Sequence, residues 1–145
     1  MSLVPDVLDN LVAMARGSDH PDLDGLQVYD GPEPGDPEPV FLLVGATTED
    51  LTSTTGRVPA GLVATTDSVD VPCSVRAWSG DLDLPTLRRS AYTVFEALVA
   101  EVEADRTLRG ACSTAEITGH TYLPALLPER GYLVDVTFTV RATRF

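Results

Sequence analysis

The stretch VDVPCSVRAWSGDLDLP, residues 69–85, decides the fold because it changes from a strand pattern into the start of a helix. Its first half alternates between apolar and polar side chains, and this period of two is typical of a strand with one buried face. The apolar positions are Val69, Val71, Cys73, Val75 and Ala77. Pro72 removes one donor from the ladder, so we expect the strand to lie at a sheet edge or to bulge there.

A long helix is predicted directly after this strand, over residues 84–104, with Asp83 as its N-cap. Its apolar residues recur every three or four positions, as on a helix with one buried face. They are Leu84, Leu87, Ala91, Val94, Phe95, Leu98 and Val102. The opposite face is either solvated or turned towards a partner, and it carries Arg88, Arg89, Glu96, Glu101 and Glu103. Helical spacing also predicts a first helix over Val4–Arg16, with Ser2 as a possible N-cap and Gly17 at its end.

The remaining strands are read from short apolar or alternating runs. LQVYDG (26–31) predicts a short strand, and VFLLVGA (40–46) predicts a strand buried on both faces near the sheet centre. CSTAEITGHTYL (112–123) predicts a strand whose end is loosened by Gly119, and residues 132–141 alternate well enough to predict a long strand with one wet face.

Two segments show neither period. PEPGDPEP (32–39) has four prolines in eight residues, which predicts a stiff, exposed, acidic connection. Residues 47–68 are rich in Thr, Ser, Gly and Asp and predict a long loop. Loops longer than about 12 to 15 residues are commonly functional or disordered, and this one is the best candidate for a contact with a partner.

The order of these elements predicts the fold class. Only one helix follows a strand at crossover distance, which favours an α+β domain over a parallel α/β sheet. We therefore expect one domain over residues 1–145. Its sheet should be mixed or mainly antiparallel, with four to five strands, and two main helices should pack on one face.

Composition excludes several classes of function. The 22 acidic residues outnumber ten basic residues, all arginine, and give a formal charge of −12. Nucleic-acid binding depends on Lys and Arg at phosphates, so this balance argues against it. Cys73 and Cys112 lie far apart, outside any zinc spacing, and are expected to be reduced core residues. We expect no membrane span and no signal peptide, and hence a cytosol-like compartment.

The catalytic patterns that could be present are incomplete. Ser79 follows a strand and precedes a helix, but a nucleophile elbow needs glycines where this chain has Ala77 and Asp81. His20 or His120 would have to complete a triad, and both are expected to be ordinary turn or surface residues. Pairing of Cys112 with His120 is sterically conceivable, although neither cysteine has a basic neighbour that would promise a thiolate.

No metal or phosphate site is predicted either. SDHPDLD (18–24) offers three aspartates and a histidine but lacks the ligand order of a calcium loop, so capping and turn formation explain it better. LLVGATTED (42–50) has a single glycine and lacks the lysine of a phosphate-binding loop. We therefore assign no catalytic, cofactor-binding or metal-binding residue.

Trp78 has two interpretations. It could cover the junction between its strand and the long helix, or it could anchor another subunit, since tryptophan is enriched at interface hot spots. The alternation places Trp78 on the polar side of the strand, away from the core face, which favours an interface.

Several segments, taken in order, resemble a known family of phage proteins. They are LQVYDGP (26–32), FLLVGAT (41–47), TTGRVPAGL (54–62), VPCSVRAWSGD (71–81), EADRTLRG (103–110) and GYLVDVTFTV (131–140). Together they resemble the tail-terminator or minor tail proteins of long-tailed actinobacteriophages and prophages. The resemblance covers almost the whole chain, and YDGP with AWSGD at this spacing is its most specific part. The proline-rich 32–39 segment departs from it.

The resemblance implies a structural virion protein rather than an enzyme. Such proteins close the tail tube as a ring of six subunits, stop polymerisation and offer the surface on which the head connector docks. The matching positions are structural: Tyr29, Asp30 and Gly31 in one turn, and Trp78 to Asp81 at the corner. The implied partners are further copies of the chain, the tail tube protein and the head–tail connector protein, with no cofactor and no membrane. The implied location is the head-proximal end of the virion tail, after assembly in the host cytoplasm.

The residues expected at subunit or tube contacts are Arg57, Trp78, Asp81, Arg88 and Arg89. Genome DNA would pass through the ring without specific binding, and we hypothesise that some carboxylates face the channel, where they would repel phosphate. A head–tail connector or stopper of the same neck region is an alternative. A small Ser or Cys hydrolase using His120 is a further alternative of a different class.

Overall fold

The computed structural model describes residues 2–32, 39–45, 52–57, 65–81, 83–127 and 131–145, with the backbone alone at 52–57 and 65–66. Two helices and a short 3₁₀ turn accompany six strands. The helices are α1 (Val4–Arg16) and α2 (Leu84–Ala104), and the 3₁₀ turn is Pro21–Leu23. The strands are β1 (Gln27–Asp30), β2 (Val40–Val44), β3 (Thr52–Arg57), β4 (Thr65–Ser79), β5 (Thr114–Leu127) and β6 (Gly131–Arg144).

All six strands belong to one mixed sheet. Its main order is β1-β2-β4-β6-β5, and β3 pairs with the first part of β4, beside the stretch that β2 occupies. β1 and β2 run parallel, and every other pair is antiparallel. The predicted α+β class with a mixed, mainly antiparallel sheet is confirmed, with one strand more than expected.

The core lies between one face of this sheet and the two helices. Residues that are Cα partners across β4 and β6 share a face, so the apolar alternation of the two strands meets in register. Val75 lies opposite Val136, for example, and both are fully buried. The buried side chains that α2 contributes are Leu87, Ala91, Val94, Phe95, Ala97, Leu98 and Val102.

Both helices have the bounds that their sequence signals predict. The Asp83 side chain accepts a hydrogen bond from the backbone N–H of Thr86 at 3.0 Å, which satisfies one of the free donors of the first turn of α2. Hydrogen bonds from the Thr86 side chain and then from its N–H lower the pKa of Asp83. In α1 the cap position is Leu3, while Ser2 accepts a bond from the N–H of Val4. The helix ends at Gly17.

The predicted loop over residues 47–68 is wrong where the structure describes it. β3 pairs antiparallel with β4 from Thr52 opposite Asp70 to Arg57 opposite Thr65. The segment has no apolar alternation, so its hydrophobic pattern does not indicate a strand. Its threonines are β-branched, however, and suit a strand. Residues 46–51 and 58–64 lie outside the described part.

The expectation of an edge or a bulge at Pro72 is also wrong. β4 is an interior strand, paired with β6 along its length and with β3 and β2 in succession on the other side. The Pro72 carbonyl accepts from Gly45, just past β2, at 2.9 Å. Both backbone groups of one residue point to the same side of a strand, so the missing N–H faces the end of β2 and costs β6 no bond.

Gly119 does not loosen the end of a strand, as its position had suggested. It lies in the middle of β5, where the register with β6 shifts between Thr118 and His120. Its φ of +59° is left-handed, which glycine adopts without a Cβ clash. The residue is a β-bulge, and the strand continues beyond it to Leu127. The proline-rich prediction for 32–39 falls mostly on residues 33–38, which lie outside the described residues.

Candidate interaction surfaces

The five residues predicted at an interface lie on four different elements or turns. Arg57 is the last residue of β3, and its side chain is outside the described part of the structure. Trp78 is near the end of β4, and Asp81 is exposed in the turn that follows, where its N–H donates to the Ser79 hydroxyl. Arg88 and Arg89 are exposed on the early turns of α2.

Arg88 binds within its own chain. Its Nε donates to the Tyr122 hydroxyl at 3.0 Å, and its guanidinium carbon lies 5.4 Å from the centroid of the same ring. A cation over an aromatic face is attracted by the ring quadrupole. Arg88 therefore ties α2 to β5, and its role in a subunit contact stays a prediction.

Arg89 lines a shallow cleft of about 550 Å³ between the first turns of α2 and the chain before β1. Asp22 and Asp24 lie on the β1 side of the cleft, and hydroxyl side chains accompany Arg89 on α2. Those hydroxyl residues are Thr86, Ser90 and Thr93. The cleft carries both acidic and basic side chains and is open to solvent. Its charge therefore does not indicate which class of ligand would bind there.

The far end of β5 and the start of β6 form a surface that the sequence analysis missed. Residues 123–127 of β5 lie beyond Tyr122, which Arg88 of α2 contacts, and they pair with residues 131–135 of β6; these two segments are hereafter the β5–β6 arm. Leu123 is 54% exposed, Leu126 69% and Tyr132 38%. Leu126 and Tyr132 are direct partners on one face of the sheet, and Leu123 lies on the other face. Clustered exposed apolar residues mark interaction sites. A signal was present in HTYLPALL (120–127), which contains no charged residue.

Trp78 lies at the base of this arm. In the register of the sheet Trp78 is opposite Leu133, and Leu133 is opposite Ala125 on β5. These three side chains share the face of the sheet that points away from the helices, because direct partners lie on the same face. The predicted orientation of Trp78 away from the core is thus present, and it joins Trp78 to the apolar side chains of the arm.

The structure separates the candidate catalytic residues. Ser79 is opposite Tyr132 and His120 is opposite Phe138, six positions along β6, which is about 20 Å of strand. The His120 ring packs against Phe95 at 5.0 Å and Tyr92 at 5.5 Å, between centroids. No hydrogen-bonded Ser–His pair can form at that separation.

The thiols are also poorly placed for catalysis. Ser113, which follows Cys112, donates its N–H to the Thr143 carbonyl, while His120 lies opposite Phe138, five positions along β6 and about 16 Å of strand away. Burial, and then the charge of Asp105, raise the pKa of Cys112. Burial raises the pKa of Cys73 to about 12. Both effects keep the thiols protonated and therefore weakly nucleophilic.

Residues 18–24 form a capped turn, as their sequence predicts. The Nδ1 atom of His20 accepts from the N–H of Asp22 at 3.2 Å, which caps the 3₁₀ turn. The cap is thus the histidine rather than an aspartate. Within the described ranges no three His, Cys, Asp or Glu side chains cluster closely enough to hold a metal ion.

Comparison with protein-family models gave no match, and comparison with curated proteins gave none either. Among the described helices, none combines the length and apolar character needed to cross a membrane.

Proposed function

We propose that this protein is a phage tail terminator, a structural virion protein that caps the tail tube as a homo-oligomeric, hexameric ring. In this role it ends tail polymerisation and provides the surface on which the head docks. The observation that carries the proposal is the β5–β6 arm, which exposes Leu123, Leu126 and Tyr132 on a chain of net charge −12. Apolar surface of this kind on a highly charged protein indicates assembly.

The fold supports the proposal through its match to the expected architecture. The resemblance implies a sheet flanked by helices, and this chain has one sheet flanked by two helices, with the AWSGD corner between β4 and α2. The protein would act by geometry rather than by chemistry. Ser79 and His120 lie about 20 Å of strand apart, and burial raises the pKa of the Cys112 thiol, which together argue against the hydrolase alternative.

The acidic character of the chain fits a channel that DNA traverses. Several arginines already bind groups of their own chain, so they are less available to phosphate. Arg76 pairs with Asp135, Arg141 with Asp70, and Arg144 with Asp67. We propose that genome DNA passes without specific binding, and that the protein resides at the head-proximal end of the virion tail.

The decisive experiment measures assembly. Light scattering over a concentration series should give a discrete ring, or a monomer that becomes a ring when tail tubes of the phage or prophage that encodes it are added. Electron microscopy should then show the ring at one end of each tube, with no further growth of tubes in the presence of free tube protein. A protein that stays monomeric and leaves tube growth unchanged would refute the proposal.

Two further outcomes point to the alternatives. Binding to DNA-filled heads but not to tubes would indicate a connector or stopper. Hydrolysis of a simple nitrophenyl ester that is lost in His120→Ala, with the fold intact, would indicate a hydrolase. A terminator should show no such activity and should assemble normally with alanine at this position.

A further inference from the structure

We infer that neighbouring copies of this chain contact each other through the β5–β6 arm, with one face of each arm packed on the opposite face of the next arm. The inference deepens the proposed function, on which it rests for the existence of a ring, by naming the subunit interface and its polarity.

The arm has two unlike apolar faces. Register with the core places Pro124 opposite the buried Val134, so Pro124, Leu126 and Tyr132 lie on the side of the sheet that bears the helices. Alternation places a second apolar set on the other side. That set is Leu123, Ala125 and Leu133, with Asp135 opposite Leu123 at its inner border.

The occupant of these faces is a second copy of the chain. In the part of the chain that the structure describes, the exposed large apolar side chains are those of the arm and Phe145 at the opposite end of β6. Among identical copies in a ring, the apolar match for one arm is therefore another arm. Copies that each carry a charge of −12 repel each other, and β5 is free of charged residues from Ile117 to Leu127, so approach there meets the least repulsion.

A two-fold dimer would not bury both apolar faces of the arm. Two-fold contact pairs a surface with itself, so it would cover one face of each arm and leave the other in water. Contact between unlike faces covers both and repeats around a rotation axis until it closes.

Pairing through the strand edges is also disfavoured. Trp78 of β4 donates to the Pro39 carbonyl, so its backbone groups face β2. In antiparallel strands the backbone groups of successive residues face alternate sides, and following this alternation through β6 to β5 places the nitrogen of Pro124 on the open edge of β5. Proline has no N–H to donate, and it is a common guard of exposed edges. On the opposite edge of the sheet, Arg16 donates to the carbonyl of Val28 in β1 at 2.8 Å. At the arm, these observations favour contact through the side-chain faces.

Cysteine cross-linking tests the polarity of the contact. Leu123→Cys and Leu126→Cys place a thiol on opposite faces of the arm, at positions exposed enough to leave folding intact. The native Cys73 and Cys112 are buried, which limits background reaction with a short bismaleimide. The matched control is Phe145→Cys, exposed but far from the arm. Each variant is treated alone and in pairwise mixtures, with and without tail tubes.

Contact between unlike faces predicts cross-linked dimers in the mixture of Leu123→Cys and Leu126→Cys chains and little product from either chain alone. The double variant should give a ladder that ends at the size of the ring. Efficient cross-linking of one single variant to itself would overturn the inference in favour of a two-fold dimer.

A charge on the arm gives the second measurement. Leu126→Arg should weaken association at least tenfold in a light-scattering series, while Phe145→Arg should leave it unchanged and both variants keep the native circular-dichroism spectrum. If the wild-type ring forms, the mixed cysteine variants give no cross-linked product and Leu126→Arg leaves association unchanged, the interface lies elsewhere and the inference fails while the terminator proposal stands. If the wild type forms no ring even on tail tubes, both fail.

Discussion

At the scale of single residues, the face of the sheet that points away from the helices contains a buried hydroxyl. Ser74 is the buried polar side chain among the described residues, with no exposed area, and its hydroxyl donates to the Asp135 carboxylate. Arg76 reaches the same carboxylate at 3.3 Å. A buried polar group without its partner bears its full desolvation cost, so Asp135 holds this part of β4 and β6 together.

Removing that carboxylate should be more harmful than breaking an exposed ion pair of the same type. We expect Asp135→Ala to lower the free energy of unfolding by about 1–3 kcal/mol, because the Ser74 hydroxyl loses its acceptor in a buried place. Asp70→Ala breaks the exposed pair with Arg141 and should change stability far less. Urea denaturation of both variants checks this, and equal destabilisation would contradict it.

Cys73 should be inert in the folded protein. Its pKa of about 12 leaves almost no thiolate at pH 8, and the thiolate is the reactive form. We expect thiol reagents to modify Cys73 about a hundredfold more slowly in the native protein than in denaturant, with mass spectrometry of peptides as the readout. Raising the pH from 7 to 9 should leave this contrast in place. Rapid native labelling of Cys73 would show that the core around it opens.

At the scale of elements, two glycines shape the β5–β6 hairpin by different means. Gly131 begins β6 with a φ of +87°, and a Cβ there would collide with the backbone of Ser79 and Gly80. Gly119 has a φ of +59° and would have open space around a Cβ. One position needs glycine for space and conformation, the other for conformation alone.

Alanine at these two positions should therefore have unequal effects. Gly119→Ala should cost about 1–2 kcal/mol from left-handed strain, and Gly119→Asn less, since asparagine tolerates this region better. Gly131→Ala should cost more, because the turn after β4 has to move away. Thermal unfolding followed by circular dichroism measures both, and a Gly131→Ala variant as stable as Gly119→Ala would refute the close approach.

At the scale of the whole molecule, the charge opposes the association that the arm promotes. Acidic residues exceed arginines by twelve, so identical copies repel over distances that salt screens. The arm contact is apolar and is not weakened by the same screening. Assembly should then be limited by repulsion at low ionic strength.

Association should accordingly tighten as sodium chloride rises from about 20 to about 200 mM, since the screening length falls to below about 10 Å in this interval. Sedimentation velocity at fixed protein concentration gives the measurement. Tighter association at low salt would mean that ion pairs, rather than the arm, dominate the interface.

Periodicity predicted both helices to the residue and the main strands, because each has an apolar face and the helices have local boundary signals, such as Asp83 at the start of α2 and Gly17 after the end of α1. It failed at β3, whose polar residues carry no alternation, and at Pro72 and Gly119, where the effect of a residue depends on which strand lies beside it. Which strands lie side by side depends on contacts between residues far apart in the sequence, and a local pattern carries no information about them.

The sequence by itself determined the fold class, the helix bounds, the acidic character and the direction in which Trp78 points, since all of these depend on composition or on neighbours a few residues away. The tertiary structure decided that Ser79 and His120 lie about 20 Å of strand apart and that Arg88 binds Tyr122. It also decided that the β5–β6 arm stands exposed. The exposure of the arm depends on which part of the sheet α2 covers. That part is set by packing between elements that are distant in the chain.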